Sequence, residues 1–120
     1  MDRHALVDQW RLFDRANRAC AGRRRKGGDV FGAELAIARA EVRREAADIL
    51  EWARDPLEAA RQLHRRAADL WHHGLPLIGF DEAAMDYTRA RAWQDCARAI
   101  DPSLPVVQPK ITFDSDRERD

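Results

Sequence analysis

Between Val30 and Arg54 apolar residues return every three or four positions, as Phe31, Leu35, Ala38, Val42, Ala46, Ile49 and Ala53. On a cylinder turning once per 3.6 residues this spacing draws one apolar stripe, so the pattern predicts an amphipathic helix over the whole stretch. Asp29 stands where an N-cap accepts free amides of the first turn, and Gly32 is expected to fray that turn. Upstream, Leu6, Trp10, Phe13 and Ala16, with Val7 at the edge, predict a helix from Arg3 to Ala21. Gly22 to Gly28, GRRRKGG, interrupts the pattern with glycines at both ends and four adjacent cations, and reads as a basic loop. Asp55 and Pro56 end the long helix and begin a third, whose face runs Leu57, Ala60, Leu63 or His64, Ala67, Leu70 and Trp71 towards a C-cap at Gly74. A fourth helix, capped by Asp81 and stapled by Phe80 and Met85, carries Met85, Ala92, Cys96 and Ala99 on one face, borders Trp93 and Ile100, and stops before Pro102.

These elements predict an all-α, four-helix bundle-like domain over residues 1–100. It has one long central helix, a basic loop at 22–28 and an extended C-terminal tail over 101–120. Val106, Val107, Ile111 and Phe113 suit an extended segment laid across the bundle, and the final DSDRERD, with no apolar residue, is expected to be disordered. A helix from Val30 to Arg54 is about 37 Å long at 1.5 Å per residue, more than the diameter expected of a compact domain this size. The overhanging stripe then requires cover, which is the reason to expect a homodimer or a protein partner. Leu75, Leu77, Ile78 and Phe80 make the connector between the third and fourth helices too apolar to hang in water. They either plug one end of the bundle or form a docking surface for a partner.

Charge narrows the classes of function. The 21 basic and 21 acidic residues of the 120-residue chain cancel, which excludes a global field that would draw in nucleic acid or membrane. Arginine outnumbers lysine 19 to 2, a usage associated with GC-rich bacterial genomes. No stretch has the roughly 18 consecutive apolar residues of a membrane span, and MDRHALVDQW carries charges where a signal peptide is apolar. A cytoplasmic location is expected, with Cys20 and Cys96 as thiols.

Locally the charges are segregated. Residues 1–28 hold eight cations against three acids, and Arg23, Arg24, Arg25 and Lys26 form a run able to hold phosphate oxygens, which makes nucleic acid an alternative partner. On the long helix Glu34, Glu41, Glu45 and Asp48, at steps of seven, four and three, share a flank beside the apolar seam. Glu41, Glu45 and Asp48 are the candidate magnesium ligands, since that ion takes oxygen donors, while Arg39, Arg43 and Arg44 stand near enough to pair with the same acids. Glu45 to Asp48, EAAD, resembles the second half of the paired helical motifs by which MazG-like nucleotide pyrophosphohydrolases bind magnesium around a phosphate chain. The first half has no counterpart, because Glu41 and Glu45 stand one residue too far apart. The resemblance implies a magnesium-dependent hydrolase as a further alternative. His72 and His73 are adjacent and point about 100° apart, and His64 is two turns away, so the histidines are not read as a metal site. No catalytic triad, phosphate-cradling glycine loop or CxxC occurs, and no cofactor is expected. More amphipathic surface than catalytic chemistry points to an adaptor or assembly subunit acting by protein-protein contact.

Overall fold

A computed structural model describes residues 1–72 and 80–107. The described chain is all-helical: α1 (Arg3–Lys26), α2 (Val30–Trp52), α3 (Pro56–His72) and α4 (Phe80–Ile100), packed in a bundle-like arrangement. α1 packs along α2 and α3 along α4, and the two pairs meet chiefly through α2 and α4. Contacts fix the directions. Arg3 reaches the Ala53 carbonyl and Arg24 pairs with Asp29, so α1 and α2 are antiparallel. Arg66 lies over the Trp93 ring and Trp71 meets Tyr87 edge-on, so α3 and α4 are antiparallel too. The radius of gyration, 15.9 Å, exceeds the roughly 14 Å of a compact chain of this length, consistent with a flattened shape of 50 × 39 × 17 Å.

The expected long helix is not set apart by length, since α1 has 24 residues and α2 23. α1 gained what the expected loop lost: Gly22 to Lys26 are helical, and only Gly27 and Gly28 separate them from the Asp29 cap. Arginine is a good helix former, and cations near a helix C-terminus face the negative end of the dipole, which offsets their mutual repulsion. The turn closes with the Gly28 amide on the Arg25 carbonyl and the Asp29 amide on that of Arg24 at 2.8 Å. Gly28 has φ of 89°, the left-handed conformation that favours glycine.

Gly32 does not fray α2. It is buried, and a Cβ there would collide with the Asp29 carboxylate and the Arg24 guanidinium. The missing side chain leaves room for the cap, in which Asp29 accepts from the Gly32 amide at 2.8 Å. Asp55 caps α3 as expected, accepting from the Leu57 amide at 3.1 Å. α4 begins at Phe80, which puts Asp81 in its first turn.

The main core draws on all four helices, with Val7, Trp10, Val42, Leu50, Leu63, Trp93, Cys96 and Ile100 among its members. A second, smaller core of Ala21, Ala33 and Ala36, with Ile37 against it, lies between α1 and α2 towards the turn that joins them. On α1 the buried line is Val7, Trp10 and Ala21, whereas Ala16 and Phe13 are exposed; on α4 Trp93 and Ile100 are core and Ala99 is exposed; on α3 Leu57 is exposed. α2 differs most from expectation. It buries Ala38, Val42 and Ala46 from the expected stripe and also Ala33, Ala36, Ala40 and Ala47 on a second side. One side meets α4 and the other α1, so the chain's own helices bury the middle of the expected stripe, while Phe31 and Leu35 at one end and Ile49 and Ala53 at the other stay half-buried.

Residues 101–107 follow α4 and are pinned to it and to α3. Arg98 donates to the Leu104 carbonyl, the buried Gln94 accepts from the Val107 amide at 2.6 Å, and His64 meets the Pro105 carbonyl at 2.8 Å. Residues 108–120, with Ile111 and Phe113, lie outside the described residues, as do Leu75, Leu77, Ile78, the Phe80 side chain, Gly74 and His73. No described segment is a strand.

Leu50 is fully buried where the helices meet. Leu50→Ala is expected to cost about 2–5 kcal/mol, and Ala40→Leu, which forces α1 and α2 apart, about 1–3 kcal/mol. Urea denaturation of the two variants measures both losses.

Candidate functional sites

With 100° per residue, Glu34, Glu41, Glu45, Asp48 and Trp52 fall within about 60° of arc on α2. All five are exposed, and the buried alanines occupy the rest of the circumference. The acids therefore do not flank a buried seam; they form the water-facing side of the helix. Their carboxylates diverge. Asp48 pairs with Arg11 of α1 at 3.3 Å, Glu45 with Arg66 of α3 at 3.5 Å, and Glu34 borders a cavity with Asp81, Glu82, Asp86 and Arg89 of α4. Among the described residues no three His, Cys, Asp or Glu side chains are grouped to hold a metal ion, and Glu41, Glu45 and Asp48 are not brought together. Arg11 also makes two 3.0 Å hydrogen bonds to the two oxygens of Glu51, a bidentate contact at the half-buried edge of the α1–α2 interface. Glu51, one turn beyond the sequence-predicted set, was not singled out from the pattern because it sits on the side facing α1.

Arg23, Arg24, Arg25 and Lys26 are exposed on the last turn of α1. Of the four, Arg24 has an ion pair among the described residues, with Asp29 at 3.5 Å. The run is therefore an ordered helical surface at the end of the α1–α2 hairpin, opposite the end that holds Trp52.

Trp52 is 82% exposed, whereas Trp10, Trp71 and Trp93 are buried. With Ile49, Ala53, Arg54, Glu58 and Gln62 it lines a cavity of about 460 Å³ at the corner where α2 passes into α3, and exposed Leu57 is part of the same corner. No motif marks this place. A tryptophan in an amphipathic helix is read by default as core, and its position on the acidic face became visible only once both buried sides of α2 were known.

Among the described residues two buried donors have no hydrogen-bond partner, Arg43 Nη1 and Trp71 Nε1. Arg43 stacks on Phe13, with its guanidinium carbon 4.4 Å from the ring centroid. Cys96 is a buried thiol, and burial pushes its pKa up to about 12, so it is inert as a nucleophile. Among the described residues no helix is long and apolar enough to cross a membrane.

The two cysteines are free thiols. Iodoacetamide at neutral pH is expected to modify half-exposed Cys20 in the folded chain and to reach Cys96 only in denaturant, as read by intact mass. The hydrogen bonds from Arg11 hold the Glu51 carboxyl below its ordinary value of 4.5. The unfolded chain thus binds more protons at this site, and the stabilisation is complete above that value and lost as pH falls through the lowered one. Denaturation at about pH 7 and about pH 3 should show the wild type losing more stability on acidification than Glu51→Gln.

No protein-family model, curated protein or solved structure matches the chain.

Proposed function

We propose that the chain is a small helical protein-protein interaction subunit that associates with a second copy of itself through the α2–α3 corner. The observation that carries this reading is Trp52, 82% exposed beside a cavity of about 460 Å³. A large apolar side chain left in water forgoes about 1.5–3 kcal/mol of burial, and tryptophan is the residue type most enriched where interfaces concentrate their energy. A twofold arrangement places each protomer's Trp52 in the partner's cavity, against Ile49 and Ala53, and uses one surface patch twice. Glu58, Asp48, Arg54 and Gln62 then supply a polar rim. Sedimentation is expected to give a mass above the monomer's 13.8 kDa, with emission from the sole exposed tryptophan shifting to the blue as concentration rises, and Trp52→Ser is expected to abolish both. A wild-type chain that stays at 13.8 kDa with concentration-independent emission overturns the reading.

One observation favours a second reading, a nucleic-acid-binding accessory protein: four adjacent exposed cations on a helical turn, with a single ion pair among them in the described residues. Binding to duplex DNA is expected to weaken with a log–log salt slope of about −0.9 per phosphate contacted. Replacing Arg23, Arg24, Arg25 and Lys26 together by alanine removes that binding if the reading holds, and leaves it intact if it does not. The magnesium-dependent hydrolase gains no support from its candidate ligands, of which Asp48 pairs with Arg11 of α1 and Glu45 with Arg66 of α3.

A further inference from the structure

On the other side of α2 from its acidic face, an open cavity of about 280 Å³ lies between α2 and α4. Arg39 and Arg43 line it from α2, and Tyr87, Thr88, Arg91, Ala92 and Asp95 from α4. Three guanidiniums thus face one space with a single carboxylate. Among the described residues none of Arg39, Arg43 and Arg91 is in a close ion pair, although Asp95, one turn on from Arg91, attracts it electrostatically. Two like charges at i and i+4 on one helix are unfavourable by themselves, so placing Arg39 and Arg43 there works against the stability of α2 unless something neutralises them.

Arg43 makes the case specific. Its guanidinium stacks on Phe13, which satisfies the face of the group but not the N–H bonds in its plane. Nη1 has no acceptor among the described residues and no accessible surface, so it lies behind the cavity wall and the rest of the Arg43 side chain lines the open space. A buried charged donor without an acceptor is costly, and buried polar groups are almost always paired. Arg91 donates to the Tyr87 hydroxyl at 3.3 Å, with no other hydrogen bond from its guanidinium among the described residues, and Thr88 lines the same cavity. The set contains many donors, net positive charge and one acidic group, and it fits a small ligand rich in negatively charged oxygens.

We propose that the α2–α4 cavity binds a phosphate group, held between Arg39 and Arg43 of α2 and Arg91 of α4. A tetrahedral dianion offers enough oxygens for three guanidiniums at once, in the charge-assisted geometry arginine favours. The site is independent of the Trp52 corner and of the basic turn at Arg23 to Lys26, which lie at the two ends of α2.

The test uses the full chain with inorganic phosphate as probe, at constant ionic strength set with sodium chloride, reading thermal unfolding and titration calorimetry. Phosphate is expected to raise the melting temperature, sulfate to do so less, and succinate not at all. Arg43→Gln and Arg91→Gln are each expected to weaken phosphate binding by about tenfold or more, the loss of one charge-assisted hydrogen bond. The fourfold alanine variant at Arg23, Arg24, Arg25 and Lys26 should retain the wild-type affinity. Arg91 is exposed, so its variant keeps the test valid if Arg43→Gln fails to fold. No shift with phosphate, an equal shift with succinate, undiminished binding by Arg91→Gln, or loss of binding in the fourfold variant overturns the proposal.

Discussion

Close approach of backbones along α2 is the constraint from which the architecture follows. Ala33, Ala36, Ala38, Ala40, Ala46 and Ala47 are almost completely buried, and they are distributed over two sides of the helix. A methyl group is short enough to let a neighbouring helix seat closely, and close seating on two sides needs small residues on both. α1 takes one side and α4 the other. The larger apolar side chains are then supplied by the partners, as Trp10 from α1 and Trp93 from α4 fill space the alanines leave. What remains of α2 is a narrow water-facing strip, and every acid singled out on that helix lies in it.

This explains which parts of the fold were legible in the sequence. Asp29 and the Asp55–Pro56 pair announced helix starts because capping chemistry is local and needs no tertiary context. The helical course of Gly22 to Lys26 was not legible, since one glycine and four adjacent cations read as a break. The compensating factors are the helix dipole and the Arg24–Asp29 pair, and the latter crosses the turn. The single stripe drawn on α2 was half of the answer. It missed the second side because alanine carries little hydropathic signal, and so the acids seemed to border a seam when they lie opposite the buried arc.

The candidate sites were legible to different degrees for the same reason. The basic run is contiguous, so it was legible as a cluster of charge even though its helical conformation was not. The Trp52 corner was hidden because tryptophan is assumed to be interior. The arginine-lined cavity was hidden because Arg39 and Arg43 look, along one helix, like the natural partners of Glu34, Glu41 and Glu45. In three dimensions they turn away from those acids towards α4, and Arg91 joins them from a position some fifty residues downstream.

The small core near the α1–α2 turn has a consequence of its own. Ala21, Ala33, Ala36 and half-buried Ile37 offer few apolar atoms beside the tryptophans and leucines of the main cluster. Opening that end exposes little surface, so its backbone amides should trade their hydrogens for deuterium through a local excursion while the four-helix junction stays shut. The cationic turn is therefore mounted on the part of the molecule that can yield at the least cost, and a molecule that grips it would slow that exchange without tightening the rest of the fold.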